Sequence, residues 1–297
     1  MTLTLLKYRL RSLLPEFLVQ RISKKLRKRE GARRKKEREA LVRRLGTFDA
    51  NELVETLHRA GVTQGSILFV QSSFNDMPTF RGNPLDILNA LRRAVGPEGT
   101  LLMPAYTNNI FETPPRDFLV EREPTYTGIV NEMFRRSPGV LRSLHPRHSI
   151  CGAGPMAEAL LGGHERCLRA DGPDSPFDRL RLRPDARILT LGLPPGYISF
   201  LHWIEDFEPE KLPFRVHDPE PLLCRVVQAD GSAVEVADWQ VAQEVAPRMD
   251  YRGLARNLSP QAMNFFQLRG TSIALYPVDR LSQELAALRD RGIIHYR

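Results

Sequence analysis

Three consecutive segments near the start of the body constrain the fold most. Residues 66–71 (SILFVQ) are a short, nearly continuous apolar run, as expected of a strand buried on both faces. Asn83 and Pro84 read as a helix cap and a first-turn proline, opening a helix through Val95 that Gly96 ends. Residues 100–104 (TLLMP) are a second apolar strand. Strand, helix and strand at this spacing form a βαβ unit. Its strands are parallel, because only a crossover as long as a helix brings the chain back in the same direction. The predicted class is therefore α/β.

The rest of the body continues the pattern. Asp49 or Asn51 caps a helix through His58, and Gly61 ends it. Further helices are predicted over 128–136, 155–162 and 197–207, and residues 186–193 (ARILTLGL) read as a central strand. PLLCRVVQA and SAVEVADW flank Asp230-Gly231, a hairpin signal. A last strand at 271–278 leads to a final helix, capped by Asp279, through Arg291. No polar linker divides residues 47–297, so the expected organisation is an arm, 1–45, and one domain, 46–297.

The 297 residues suffice for a sizeable core, and 42% hydrophobic with 26% charged residues excludes global disorder. The net charge of +8 is unevenly placed. Residues 1–45 hold 16 Lys and Arg against 4 Glu, whereas the remainder holds 27 against 31 Asp and Glu. The basicity thus belongs to the arm, and nucleic-acid binding by the body is not expected. In the arm Leu6, Leu10, Leu13, Leu14, Phe17, Leu18, Ile22 and Leu26 recur at helical spacing around Pro15, as in a basic amphipathic helix. Residues 23–45 have almost no apolar face and read either as a solvated helix or as disorder. Two uses of the arm stay open: peripheral contact with anionic lipid, or docking on the body or on a second copy.

No run of 18 apolar residues occurs, and the N-terminus lacks a small-residue cleavage site. Cys151, Cys167 and Cys224 are odd in number and far apart, so a disulfide framework is not expected. These features point to a cytoplasmic protein.

Walker, G-x-G-x-x-G and G-x-S-x-G motifs are absent. Gly152 and Gly154 precede a helix and fit either an anion site or, with Pro155, a plain helix start. His145 and His148 are separated by Pro146, which breaks helical metal-ligand spacing. His202 and Glu205 lie at i, i+3 and share a helix face, a pairing that suits a general base better than a metal. No metal is expected.

Several segments in order resemble the aminoglycoside 3-N-acetyltransferase family, the antibiotic acetyltransferases outside the GNAT fold. They are FVQSSF (69–74), PLDILNALRRAVG with EGTLLMPAYT (84–107), TGIVNEMFRRSPGVLRSLHPRHS (127–149), GAGPMAEALL (152–161), GPDSPFDRL (172–180), RILTLGL (187–193) and FLHWIE (200–205). The resemblance implies a three-layer α/β/α mixed sheet and acetyl transfer from acetyl-CoA to an amine. The family's S-L-H-x-x-E histidine, its catalytic base, falls on His202, with Glu205 three residues on. A later carboxylate of the family matches Asp238 or Glu244 loosely. The resemblance also implies contacts to acetyl-CoA from Ser72, Ser73 and Phe74, and from Arg142, Ser143, His145 and Pro146, with Arg142 pairing a phosphate. Tyr106, Thr107, Asp174, Trp203 and Asp206 are candidates for the acceptor amino sugar, with plain packing of Tyr106 and Trp203 and a solvated helix end for the acidic residues also open. For Ser72 and Ser73 a capping role, and for His145 a structural one, stay open beside the ligand role.

The chain departs from the family where an acceptor would sit. Gln71-Ser72-Ser73 replaces His-Ser-Ser, Arg81-Gly82-Asn83-Pro84 stands in place of Gly-Gly, the loop from Asn108 to Gly128 lacks Phe-Asp-Pro, and Trp203-Ile204 enters the histidine helix. Acetyl transfer is therefore implied more firmly than aminoglycoside specificity. Two other readings remain: an acyltransferase acting on a surface-polysaccharide or nucleotide-linked amino sugar at the membrane, and a non-catalytic binding protein that uses its basic arm.

Overall fold

The computed structural model describes residues 16–107 and 116–297. The chain divides into two units, residues 1–47 and 48–297. The first contains one 30-residue helix, α1 (Glu16–Leu45). The stretch 23–45 is thus helical, as one of its two readings expected. An Arg33–Glu37 pair at 3.5 Å spans one turn of it. The leucines expected at positions 6–14, with Pro15, lie outside the described residues.

In the second unit α2 (Ala50–Arg59) starts at Asp49, whose carboxylate accepts the N–H groups of Asn51 and Glu52. The βαβ unit follows as β1 (Ile67–Ser72), α3 (Pro84–Val95) and β2 (Thr100–Pro104). Asn83 and Asp86 form a reciprocal capping box on α3. The remaining elements are β3 (Phe118–Leu119), α4 (Ile129–Arg135), β4 (Leu141–Arg142), β5 (Ile150–Ala153), α5 (Ala157–Leu161), α6 (Pro176–Arg181) and β6 (Ala186–Leu191). After these come α7 (Trp203–Phe207), β7 (Leu222–Val227), β8 (Ala233–Asp238), α8 (Tyr251–Ala255), β9 (Asn264–Leu268), β10 (Thr271–Pro277) and α9 (Val278–Asp290).

Seven strands form one sheet in the order β4-β5-β2-β1-β6-β10-β9, and β3, β7 and β8 form a second. β2, β1 and β6 run parallel at the centre; β5 and β10 flank them antiparallel. Alternation along β1 builds three layers. Leu68 and Val70 join a core with Leu53 and Leu57 of α2, Ile87 and Leu91 of α3 and Phe134 of α4. Ile67 and Phe69 join the opposite core with Leu160 of α5, Phe177 of α6, Ile204 of α7 and Leu285 of α9. The central strands carry side chains buried on both faces, which explains their continuous apolar runs.

Four local expectations are corrected. The helix expected over 197–207 is split: Ser199–His202 tightens into a 3-10 turn before α7. The final helix starts at Val278 with Pro277 as its cap, so Asp279 sits inside the first turn. Gly152 lies within β5, and a Cβ there would meet Leu102 at 2.6 Å and Leu161 at 2.9 Å. Its smallness thus serves close packing rather than an anion. Strands β3, β4, β5 and β9 had no counterpart in the expected elements.

Candidate active site

The parallel strands end together at Ser72, Pro104 and Leu191, the edge where open α/β sheets collect ligands. A cavity of about 450 Å³ opens there, lined by the ends of β1 and β2, by Arg147 and His148, by His202, and by Tyr106, Tyr126, Tyr197 and Tyr251.

His202 is brought to this cavity by Gln71. The Gln71 Oε1 accepts the Ser199 N–H at 2.8 Å, and its Nε2 donates to the Ser199 hydroxyl at 3.0 Å. This ties the 3-10 turn to the end of β1. The following turn is anchored by Trp203, which stacks on Phe200 and Phe207 with ring centres 5.7 and 4.7 Å away.

The His202 Nδ1 lies 2.7 Å from Glu205 Oε1. An ionised carboxylate only accepts, so Nδ1–H donates and Nε2 carries the lone pair of the neutral ring. The Tyr251 hydroxyl is 3.4 Å from that Nε2. On the other oxygen of Glu205, the Tyr296 hydroxyl donates at 2.6 Å and His295 Nε2 lies 3.1 Å away. Burial by itself would raise the Glu205 carboxyl, but the His202 charge, with hydrogen bonds from His202 and His295, holds it well below the usual carboxylate range. Burial likewise works to lower His202, and Glu205 overcomes it, so the imidazole is raised above its ordinary value.

A second pair stands beside the first. His148 Nδ1 lies 2.8 Å from Asp171 Oδ2, and the His148 ring stacks on Tyr106 with centres 5.0 Å apart. The Asp171 backbone N–H donates to Asp206 Oδ2 at 2.9 Å, and His217 Nε2 sits 3.1 Å from the other oxygen of Asp206. Burial raises the Asp171 carboxyl to about 7 and pushes His148 well below its ordinary value. His148 and Asp171 are 23 residues apart in sequence. No short motif could have linked them.

Residues 69–287 match the family described as aminoglycoside 3-N-acetyltransferase. The chain belongs to this family. It is 35% identical over 185 residues to aminoglycoside N(3)-acetyltransferase IV of Salmonella sp, covering 62% of this chain and 66% of that one. Across the first similar relatives the match spans 58–66% of their length, under two thirds. Among solved structures, the AAC(3)-IVa apoenzyme superposes with a TM-score of 0.66 at 26% identity, over 82% of this chain and 89% of that one. AAC-IIIb, in a binary structure with CoASH, shares the fold at a TM-score of 0.69 and 19% identity, over 84% and 99%.

The residues the family resemblance singles out fall into three groups. His202, Tyr106 and Ser72 line the cavity, and the Ser72 hydroxyl is buried with no hydrogen-bond partner. Around them, Ser73 donates to Asp76 at 2.5 Å, Phe74 packs edge-on to Phe80, and Thr107 donates to the Pro146 carbonyl at 2.5 Å.

The third group has other partners or positions in the structure, and His145 among them fits the structural role left open for it. Arg142 is not presented to a phosphate: it donates to Val120, Glu123 and Ala105 carbonyls and to the Ser149 hydroxyl. It pins the rewritten loop, and burial brings it down to about 10. Ser143 accepts the Ile150 N–H and contacts His164, while His145 is buried, accepts the His148 N–H and stacks on His164. Trp203 is buried in the core rather than facing an acceptor. Asp206 is buried in the network, and Asp174 is exposed. Glu244 is exposed, and the carboxylate on His202 is Glu205. Asp238, the other candidate, is fully buried and pairs with Arg147 at 3.0 Å.

Among the described residues, one group of three has atoms close enough to share a metal ion: His202, Glu205 and His295. Glu205 contacts both histidines, His202 Nδ1 through Oε1 at 2.7 Å and His295 Nε2 through Oε2 at 3.1 Å.

Proposed function

We propose that the chain transfers the acetyl group of acetyl-CoA to an amino group of an aminoglycoside or related amino sugar, with His202 as general base. The observation that carries this reading is the His202–Glu205 pair. Its Nδ1 is fixed by a carboxylate at 2.7 Å, and the histidine lines the cavity at the strand ends. Acetyl-CoA supplies the activated acetyl group as a thioester. A substrate amine beside Nε2 gives up a proton to it as the N–C bond forms, and Glu205 stabilises the resulting imidazolium. The unpartnered Ser72 hydroxyl in the cavity wall suits a polar atom of the bound thioester or its pantetheine arm. Such a group at the site of charge development favours the tetrahedral intermediate.

The test is thiol release from acetyl-CoA in the presence of individual aminoglycosides and nucleotide-linked amino sugars. Amine-dependent release supports the reading; none with any amine removes it. Where the rate is highest identifies the acceptor class. For the arm, we infer a peripheral contact with an anionic surface, or self-association, through the basic residues of 1–45. The support is its excess of 12 positive charges, set by 16 Lys and Arg against 4 Glu.

A further inference from the structure

An amino sugar's amine reaches the enzyme near neutral pH mostly as an ammonium ion. It must lose two protons in all, one before it can attack and one as the new bond forms. A single imidazole takes one of them. The cavity holds two. His148 and His202 both line it, with ring centres 6.1 Å apart. Each has its Nδ1 on a buried carboxylate, at 2.8 Å and 2.7 Å. Each therefore has Nε2 as its remaining nitrogen.

The second pair is as firmly held as the first. His148 donates its backbone N–H to His145 at 3.1 Å, and Asp171 donates its own to Asp206 at 2.9 Å. Tyr106 covers one face of the His148 ring. The charged and titratable groups around the pair are Arg147, His202, Glu205, Asp206 and Asp238, with the His145 ring against His148.

Building on the acetyl-transfer reading above, we propose that the His148–Asp171 pair takes the first proton, turning the bound ammonium into the attacking amine. An N–H bond of the ammonium breaks as H–Nε2 forms on His148. The Nδ1 proton of His148 passes to Asp171 Oδ2, leaving the ring neutral. The freed lone pair attacks the thioester carbon, and His202 takes the second proton. The C–S bond then breaks, the sulfur keeps its electron pair, and the His202 imidazolium protonates it. The net products are the amide, the free thiol and one proton, which leaves Asp171 for solvent. Burial favours this course within the pair: it raises Asp171 to about 7 and holds His148 well below its ordinary value, so the carboxyl rather than the ring keeps the proton.

The test is kcat/KM for the acceptor from about pH 6 to 10 in wild type, His148→Phe, Asp171→Asn and His202→Ala. Without the pair only free amine reacts. Between about pH 7, where Asp171 ionises, and the amine's pKa, His148→Phe and Asp171→Asn should then fall behind wild type by about tenfold for each pH unit below that pKa, and rejoin it above. The crossing point should move with the pKa of the acceptor chosen, whereas the deficit of His202→Ala should persist at every pH. A deficit that stays constant with pH, or none, would overturn the proposal while leaving acetyl transfer intact. A wild type that acetylates no amine would instead overturn the functional reading. If His148→Phe does not fold, Asp171→Asn, which keeps the ring and its stack, reads the same slope.

Discussion

Glu205 is the residue on which the site turns. It is buried, takes His202 on one oxygen and Tyr296 and His295 on the other, and stays ionised because His202 and His295 outweigh the cost of burial. The reciprocal effect on His202 sets the pH dependence. A raised imidazole remains protonated to higher pH, so the base form appears only as pH climbs through a value above 6.5. The acid limb of kcat/KM should therefore lie above pH 6.5. Glu205→Gln removes the charge, leaves burial unopposed, and should move this limb to lower pH. The plateau should drop by at most about 10²–10⁴-fold, the worth of one positioned base. A pH–rate profile of both proteins checks this, and an unmoved limb would separate Glu205 from the base. The pair was legible in the sequence because i, i+3 puts both residues on one face even where a 3-10 turn meets a helix. Its other partners, His295 and Tyr296, lie some ninety residues on in the C-terminal tail, and no local spacing reveals them.

Among the elements, β1 does two jobs. It is the central parallel strand of the fold, and its last residues hold the turn that presents His202. Gln71→Ala removes both bonds to Ser199. It should cost about 1–3 kcal/mol, since each such bond contributes about 1 kcal/mol net. It should also lower kcat while leaving acetyl-CoA affinity nearly unchanged, as a melting curve and a titration with the cofactor would show. On the opposite side of β2, Gly152→Val would push a side chain into Leu102 and Leu161. It should destabilise the protein by about 1–3 kcal/mol through overpacking, read from denaturant unfolding. Elements with caps and continuous apolar runs were legible: β1, α3, β2, β6 and β10. The missed strands fail that test for physical reasons. β3 and β4 have two residues each, β5 contains a packing glycine, and most side chains of β9 are exposed or half-buried at the sheet edge. The division of 197–207 was hidden for a similar reason, because the 3-10 turn is tied from outside by Gln71.

At the scale of the whole molecule, charge and chemistry sit in different units. Among the described residues no helix is long and apolar enough to cross a membrane. Deleting residues 1–45 should leave the body folded and able to bind acetyl-CoA. Any affinity for anionic vesicles should disappear with the arm and weaken with salt in the intact protein, as a sedimentation assay would measure. A truncated body that precipitates would place the arm in the fold or in an oligomer. The uneven placement of charge was legible from the counts alone. The identity of the acceptor was not, because it depends on side chains gathered from loops distant in sequence. The central claim, that His202 is the base for acetyl transfer to an amine, is tested most directly by one comparison of kcat. Thiol release from acetyl-CoA with a saturating amine acceptor is measured for wild type and His202→Ala, both checked for cofactor binding. Turnover should fall by about 10²–10⁴-fold with acetyl-CoA affinity retained. Near-normal turnover in His202→Ala would contradict it.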